Sequence, residues 1–279
     1  MKKGIFGFAL LLFSITGYAA DATDLASYFP DESGCFILYN VNENKIATEY
    51  NPTRCAEQIP PDSTFKIPLS LMAFDQKLIT QKTIFSWDGV NKGLPRWNQD
   101  QTPSTWLKNS VVWVSQELTP KLGMNKIKSY LKKFNYGNQD FSGDAGQDNG
   151  LTRAWLSSSL KISGDEQLNF LKSLVADKLP VSQSAMKETK TNMYLLTSPG
   201  GWEIYGKTGS GMLMPKAGQP SNDDGKLQDG WFIGYMKRSN QAYIFVLNFS
   251  DLKTPTNTDA GGTRAKQKVQ DILTKMGLF

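Results

Sequence analysis

The pattern of apolar and polar positions predicts strands at both ends of the chain and helices between them. Segments 33–41 and 45–51 are rich in β-forming residues and flank a short polar turn, which is typical of a hairpin. Three further strand-like segments follow Trp202: 203–208, 230–237 and 241–249. The amphipathic pattern over 264–278 predicts that a helix closes the chain.

The middle of the chain has helical spacing instead. Apolar residues recur at helical intervals in 61–78, 121–134 and 165–177, and Ser163 with Glu166 forms a capping-box signature before the third segment. We therefore expect a two-lobed α+β protein with a single catalytic domain, 20–279. An antiparallel sheet from both chain ends (20–60 and 200–279), flanked by helices, would hold an inserted all-helical lobe (61–199). The cleft between the lobes is the expected site.

The first residues differ from the rest of the chain. Lys2 and Lys3 precede an apolar run over 5–15, and small residues follow at Gly17, Ala19 and Ala20. This pattern predicts a secretory signal peptide over 1–19, with cleavage after Ala19 or, alternatively, after Ala20. The apolar run is short for a membrane helix, so we expect an exported, periplasmic protein with no membrane anchor.

The charge and cysteine content of the chain argue against nucleic-acid binding and against a cysteine-based metal or redox site. Removing Lys2 and Lys3 leaves 29 basic against 26 acidic residues, a net charge of +3, which does not indicate a nucleic-acid partner. Cys35 and Cys55 are the only cysteines and lack the spacing of a metal or redox motif. They could be two buried thiols or, because they flank the predicted hairpin in an exported protein, a disulfide.

The chain contains no histidine. This absence excludes Ser-His-Asp triads and Cys-His dyads, and it removes the commonest side-chain ligand of transition metals. A hydrolase with this composition needs a carboxylate, a tyrosine or a lysine of lowered pKa as its base. Lysines close to serines therefore become the candidates.

The tetrapeptide Ser-x-x-Lys occurs five times, beginning at Ser63, Ser129, Ser158, Ser184 and Ser250. Only Ser63 follows a Pro-Pro-Asp lead-in and opens an apolar helical run, which would place Lys66 one turn on, on the same face. The partial positive charge of a helix N-terminus would favour an oxyanion beside Ser63. The alternative is an ordinary N-cap serine.

Three further motifs occur in order: Ser110-Val-Val112, Tyr136-Gly-Asn138 and Lys207-Thr-Gly209. Together with Ser63-Thr-Phe-Lys66 they resemble the class D serine β-lactamases, the oxacillinase or OXA-type enzymes, over essentially the whole mature chain. Related penicillin-binding proteins and class A enzymes typically have Ser-x-Asn where this chain has Val112. The resemblance implies the serine β-lactamase and penicillin-binding-protein transpeptidase fold. It also implies hydrolysis of the β-lactam amide of penicillin-type antibiotics through a Ser63 acyl-enzyme, conferring antibiotic resistance.

For Lys66 the resemblance implies carbamylation by carbon dioxide, which would make it the general base of acylation and deacylation. Only an uncharged amine takes up carbon dioxide, so burial has to lower a pKa that is normally about 10.4. Val112 and Trp155, with Phe65 and Leu156, are expected to form this apolar pocket. In relatives the indole N–H of Trp155 holds the carbamate, so its replacement should slow acyl-enzyme hydrolysis more than acylation.

The resemblance also implies the other catalytic roles. Ser110 would relay a proton to the departing ring nitrogen, and Lys207 would tune Ser110 and present a cation to the substrate carboxylate. The backbone N–H of Ser210 would join that of Ser63 in the oxyanion hole. Two residues of the third motif would shape the cleft and transfer no proton: Tyr136 and Asn138.

Substrate binding would involve the Lys-Thr-Gly strand. Gly209 allows its backbone to approach the acyl group, and the hydroxyls of Thr208 and Ser210 can bind the substrate carboxylate. Many class D enzymes add an arginine near the last helix, for which Arg264 is the nearest candidate on a poorly matching segment. Trp97 either stacks on the substrate side chain or packs structurally.

Other functions remain open at this stage. A penicillin-binding sensor domain of the same fold would acylate without turnover, and a D-Ala-D-Ala peptidase would be inhibited by β-lactams. A structural exported protein would need four ordered motifs by chance. The expected partner is a small-molecule β-lactam, and carbon dioxide on Lys66 is the only expected cofactor, with no metal. The substrate spectrum and oligomeric state stay open, with a monomer slightly favoured.

Overall fold

A computed structural model describes residues 25–213 and 225–279, so the predicted signal peptide and its cleavage site lie outside the described residues. The described strands form one antiparallel sheet of six, in the order β2-β1-β6-β5-β4-β3. They are β1 (Glu32–Asn40), β2 (Lys45–Tyr50), β3 (Tyr194–Thr197), β4 (Glu203–Met212), β5 (Gln228–Arg238) and β6 (Gln241–Asp251). The predicted hairpin and the three later strands are confirmed.

Helices cover both faces of the sheet. The α-helices of the described ranges are α1 (Pro52–Cys55), α2 (Lys66–Asp75), α3 (Pro103–Lys108), α4 (Val112–Leu122), α5 (Met124–Phe134), α6 (Gly150–Arg153), α7 (Gly164–Val175), α8 (Gln183–Met193) and α9 (Gly261–Lys275). The 3₁₀ helices are Ala26–Tyr28, Asp62–Phe65 and Pro95–Trp97. The capping box at Ser163 and Glu166 is confirmed at the start of α7.

Alternation along the central strands produces two hydrophobic cores. Ile37 and Val246 face the core shared with the helical lobe, whereas their neighbours Leu38 and Leu247 face the core under α9. Successive strand residues point to opposite faces, so a sheet covered on both sides has nearly continuous apolar strands. The sheet therefore serves as a rigid wall between the last helix and the inserted lobe.

Tertiary structure modifies three predicted elements. Segment 61–78 begins as a 3₁₀ turn, Asp62–Phe65, before the α-helix starts at Lys66. The helix predicted over 121–134 begins at Met124, because Gly123, with a φ of 79°, separates it from the end of α4. The sheet lobe resumes earlier than the predicted residue 200, because β3 pairs with β4 as the edge strand of the sheet.

Cys35 and Cys55 form a disulfide, which decides between the two possibilities left by the sequence. The bridge joins β1 to the end of α1, and both cysteines are fully buried. Gly164 packs against it, since a Cβ there would lie 2.9 Å from the Cys35 sulfur. Within residues 25–213 and 225–279, the structure has no helix long and apolar enough to cross a membrane.

Candidate active site

The nucleophile candidate Ser63 lies in a short turn pressed against the sheet. The indole of Trp231 on β5 donates a hydrogen bond to the carbonyl of Pro60, at 2.8 Å. A Cβ at Gly209 on β4 would lie 2.9 Å from the carbonyl oxygen of Pro61, so only glycine lets the strand approach this closely. These contacts fix the turn against β5 and against β4, the strand that carries Lys207, Thr208, Gly209 and Ser210.

Lys66 is the first residue of α2 and its side chain is fully buried. Its Nζ donates a hydrogen bond to Ser63 Oγ at 3.2 Å, which confirms the predicted proximity of amine and hydroxyl. Burial lowers the pKa of Lys66 from 10.5 to about 7, partly offset by the negative potential of nearby Asp62. A large fraction of this amine is therefore uncharged near neutral pH.

Trp155 lies behind the nucleophile in the loop after α6. Its ring stacks on Phe65, with centroids 5.4 Å apart, and on Phe141 at 5.9 Å. The side chain is fully buried, and its Nε1 has no hydrogen-bond partner among the described residues. An unpaired buried donor is costly, so this nitrogen fits a site built to receive an acceptor. A carbamate oxygen on Lys66 is such an acceptor.

Ser110 and Lys207 come together across the cleft from different lobes. Lys207 Nζ donates to Ser110 Oγ at 2.9 Å and to the carbonyl of Thr208 at 2.8 Å. Burial, followed by the nearby charges of Lys66 and Arg96, holds the pKa of Lys207 well below its usual range. Ser110 has a φ of 58°, a backbone conformation that L-residues adopt only when their surroundings impose it.

Val112 begins α4, directly after the Ser110 turn, and is half-buried. Val111 of the same motif belongs to the hydrophobic core of the helical lobe, as does Val114 two residues after the motif. Leu156, next to Trp155, is also half-buried and packs against that core. Of the four residues predicted to form the apolar pocket, Phe65 and Trp155 are fully buried and stack on each other.

The substrate-carboxylate candidates separate into two groups. Arg264 is 6% exposed, and its guanidinium donates to Asp251 at 2.8 and 2.9 Å and to Glu32 at 3.3 Å. Its role in the structure is therefore to hold these buried carboxylates. Thr208 instead lines a cavity of about 350 Å³ beside Ser110 and Lys207. The sequence analysis missed two residues of α9 that line the same cavity, Thr263 and Lys266. Their i, i+3 spacing at the start of an amphipathic helix was the available signal.

Ser210 lies on β4 next to Gly209, and its hydroxyl accepts a hydrogen bond from the backbone N–H of Gly262 at 2.8 Å. This contact ties the strand to the start of α9. A larger cavity of about 800 Å³, lined by tyrosines and lysines of α8, β3, β4 and β5, contains none of the predicted site residues. Three predicted site residues, Ser110, Lys207 and Thr208, line the smaller cavity instead.

Tyr136 and Asn138 act behind the cleft. The Tyr136 ring is fully buried against Phe65, with centroids 6.1 Å apart, and burial raises the pKa of its hydroxyl. Asn138 donates to the carbonyl of Ser159 and accepts from the N–H of Lys161 at 3.0 Å. Asn138 thus braces the loop that carries Trp155, and Tyr136 supports the Ser63 turn through Phe65. That these residues shape the cleft stays a prediction.

Trp97 is half-buried, and its indole donates to the carbonyl of Asn109 at 2.9 Å. Its own carbonyl accepts from the indole of Trp113 at 3.1 Å. These bonds hold the 3₁₀ helix Pro95–Trp97 against the residue before Ser110. Packing is the role of Trp97 visible in the structure.

Comparisons with known proteins agree with this geometry. The family model described as the penicillin binding protein transpeptidase domain matches residues 34–274. The chain is 49% identical over 240 residues to β-lactamase OXA-1 of Escherichia coli, covering 85% of this chain and 84% of that protein. The solved structure of the OXA-427 class D β-lactamase is 37% identical, with a TM-score of 0.74, over 88% of this chain and 100% of that one.

A second structural relative has a different role. The C-terminal domain of the Bacillus licheniformis BlaR penicillin-receptor is 30% identical, with a TM-score of 0.79, over 91% of this chain and 95% of that one. The fold is therefore shared by enzymes and receptors, whereas the higher identities are to enzymes. The chain belongs to the class D β-lactamases, hydrolases of β-lactams within the penicillin-binding protein transpeptidase family.

Proposed function

We propose that this hydrolase opens the β-lactam ring of penicillin-type antibiotics through an acyl-enzyme on Ser63, with carbamylated Lys66 as its general base. One observation carries the proposal. The buried Lys66 amine lies 3.2 Å from Ser63 Oγ, and the unpaired Trp155 indole N–H belongs to the same buried cluster through its stacking on Phe65. A carbamylated base requires a buried amine of lowered pKa, a hydroxyl within its reach and a hydrogen-bond donor for the carbamate. Lys66, Ser63 and Trp155 supply these three groups.

The residues of the chain fit the carbamate on two grounds. The pKa of Lys66, lowered to about 7, makes the uncharged amine accessible for reaction with carbon dioxide. The buried Trp155 Nε1 supplies a donor that no described residue uses. When present, the carbamate supplies an anionic oxygen that accepts the proton of an attacking hydroxyl or water.

Acylation then follows from the placement of the side chains. Ser63 Oγ attacks the lactam carbonyl while its proton passes to the base at Lys66. The backbone N–H groups of Ser63 and Ser210 stabilise the oxyanion, and losing one such donor typically costs about 2.7 to 4 kcal/mol. Ser110, hydrogen-bonded to Lys207, delivers a proton to the ring nitrogen as the C–N bond breaks.

Lys207 keeps Ser110 ready for that transfer. Its lowered pKa makes it a better proton source than an exposed lysine, and its Nζ lies 2.9 Å from Ser110 Oγ. The substrate carboxylate binds at the adjoining cavity, where Thr208, Thr263 and Lys266 supply hydroxyls and a cation. Deacylation uses a water activated at Lys66, and the acid leaves with Ser63 free for another turnover.

The biological role follows from this chemistry. An exported enzyme with the proposed signal peptide 1–19 would destroy β-lactams in the periplasm, before they reach their targets, and so confer resistance. No metal takes part in the proposed mechanism. A penicillin-binding sensor is the second candidate, because the BlaR receptor domain shares the fold.

Turnover separates the two candidates. Purified mature protein is mixed with a chromogenic cephalosporin in carbon dioxide-depleted buffer and again with bicarbonate, alongside Lys66→Ala. We expect sustained hydrolysis that bicarbonate stimulates in the wild type and that the variant lacks. A single burst equal to the enzyme concentration, under both conditions, would identify a sensor or peptidase and reject the proposal.

A further inference from the structure

Asp62, the residue before the nucleophile, has no role in the mechanism above, yet its surroundings are unusual. It is 1% exposed and has a φ of 45°, in the left-handed region that L-residues seldom adopt. Its Oδ1 accepts two hydrogen bonds from Ser157, from the backbone N–H at 2.9 Å and from the hydroxyl at 3.1 Å. Such a conformation persists only where neighbouring contacts impose it.

Ser157 connects this carboxyl to two other parts of the site. It follows Trp155 by two residues, and its own φ is 49°. Its hydroxyl, while donating to Asp62, accepts the backbone N–H of Met212 at 3.0 Å. Met212 ends β4, two residues after Ser210. One short chain of hydrogen bonds thus joins the Ser63 turn, the Trp155 loop and the strand of the oxyanion hole.

Packing makes this junction of Asp62, Ser157 and Met212 rigid. A Cβ at Gly211 would lie 2.2 Å from Asp62 Oδ2 and 2.6 Å from Ser157 Oγ, so the carboxyl rests directly on the β4 backbone. Asp62 Oδ2 is buried and has no hydrogen-bond partner among the described residues. A carboxyl used only for solubility or capping would not be sealed in this way.

The charge state of Asp62 bears on its neighbour Lys66. Burial, and then the negative charge of Asp229, raise the pKa of Asp62 well above its usual range, against lowering by Ser157 and Lys66. An ionised Asp62 would raise the pKa of Lys66 and favour the ammonium form. The Asp62 carboxyl is therefore coupled to the amine of Lys66 by charge as well as by position.

We propose that Asp62 and Ser157 are positioning residues that hold the Trp155 indole and the Ser210 strand in register with the Ser63–Lys66 pair. The proposal rests on the proposed function. Neither residue touches the reacting atoms. Asp62 accepts from both the backbone N–H and the hydroxyl of Ser157, and that hydroxyl is also the link to β4. When the hydroxyl is removed, the link to β4 is lost, but the backbone N–H of Ser157 still bonds Asp62.

The test compares Asp62→Ala, Ser157→Ala and Asp62→Asn in the full mature enzyme. Carbamate is measured without turnover, from the ¹³C NMR signal after addition of ¹³C-bicarbonate. Acylation and deacylation are separated by rapid-quench intact-mass analysis with a penicillin. Asp62→Ala should raise the bicarbonate concentration for half-maximal carbamate by about tenfold or more, the usual range when a contact supporting a site's ligands is lost.

The other two variants separate geometry from charge. Ser157→Ala should keep most of the carbamate signal but slow acylation, because it cuts the link to β4 while the backbone N–H of Ser157 still holds Asp62. Asp62→Asn keeps an uncharged acceptor of the same shape, so it should restore most of the carbamate affinity lost in Asp62→Ala. If Asp62→Asn loses that affinity as fully as Asp62→Ala does, positioning through this hydrogen-bond acceptor is wrong.

Asp75→Ala is the matched control. Asp75 also accepts hydrogen bonds from a backbone N–H and a hydroxyl, those of Ser182 and Tyr130, but at the far end of α2. It should lower the melting temperature without changing carbamate affinity. Wild-type turnover is recorded first, so a wild type without bicarbonate-stimulated hydrolysis contradicts the proposed function. Wild-type behaviour of Asp62→Ala in an active background contradicts the positioning role alone.

Discussion

Replacing Trp155 by phenylalanine removes one N–H donor and keeps an aromatic ring between Phe65 and Phe141. The donor is buried and has no partner in the described chain. A hydrogen bond to a charged group contributes about 1.5–3 kcal/mol, so carbamate affinity should fall roughly 10- to 150-fold. Acylation, which also uses the oxyanion hole and Ser110, should fall less than deacylation.

The same substitution has opposing effects on the unmodified protein. Removing an unpaired buried donor relieves a penalty of about 1–3 kcal/mol, whereas the smaller ring leaves a cavity of comparable cost. The melting temperature in carbon dioxide-depleted buffer should therefore stay close to that of the wild type. Trp155→Ala leaves a much larger cavity and should lose about 3–5 kcal/mol of stability. Trp155→Phe is therefore the variant that tests the loss of the N–H donor by itself.

The assay records melting curves with and without bicarbonate, and intact masses during reaction with a penicillin. Any ligand that binds only the folded state raises the melting temperature with its concentration. We expect bicarbonate to raise the melting temperature of the wild type but not that of Trp155→Phe at the same concentration, and we expect the acyl-enzyme of the variant to accumulate. An unchanged bicarbonate shift together with wild-type deacylation would refute the role of the indole.

The remaining predictions concern charge, the disulfide and substrate binding. Because the folded pKa of Lys66, about 7, lies below the unfolded value, the folded state binds fewer protons, and stability should rise with pH above about 7. Lys66→Met should therefore melt higher than the wild type at pH 6, with a gap that narrows by pH 9; a constant gap would argue against a lowered pKa. Replacing Cys35 and Cys55 by alanine should cost about 3 kcal/mol in denaturant titrations, given the 20-residue separation. Lys266→Ala should raise KM for penicillins with little change in kcat, whereas Arg264→Ala should cost about 3–5 kcal/mol of stability by stranding its buried partners. Steady-state kinetics and melting curves on both variants would expose the opposite pattern.

Much of the site was predictable because its chemistry depends on residue types at short spacing. The absence of histidine removed the usual bases, and the Ser63–Lys66 spacing placed an amine within reach of a hydroxyl. Local periodicity also predicted the hairpin and the later strands, because alternation along a strand reflects which face is buried. These features need no knowledge of distant contacts.

Other features required the folded chain. Arg264 and Lys266 lie on the same helix turn, and nothing in their spacing shows that one is sealed against Asp251 while the other lines the cavity. The unpaired state of the Trp155 indole is equally invisible in sequence. Burial and hydrogen-bond satisfaction depend on residues far away in the chain, which local patterns do not encode.

The sequence by itself determined the candidate nucleophile, a serine, and the candidate base, a lysine in a chain that has no histidine. It also determined the four ordered motifs that span the chain. Tertiary structure alone decided the lowered pKa of Lys66, the pairing of Ser110 with Lys207 across lobes, and the junction at Asp62. The physical reason is that desolvation and geometry arise only when segments more than ninety residues apart pack together and exclude water.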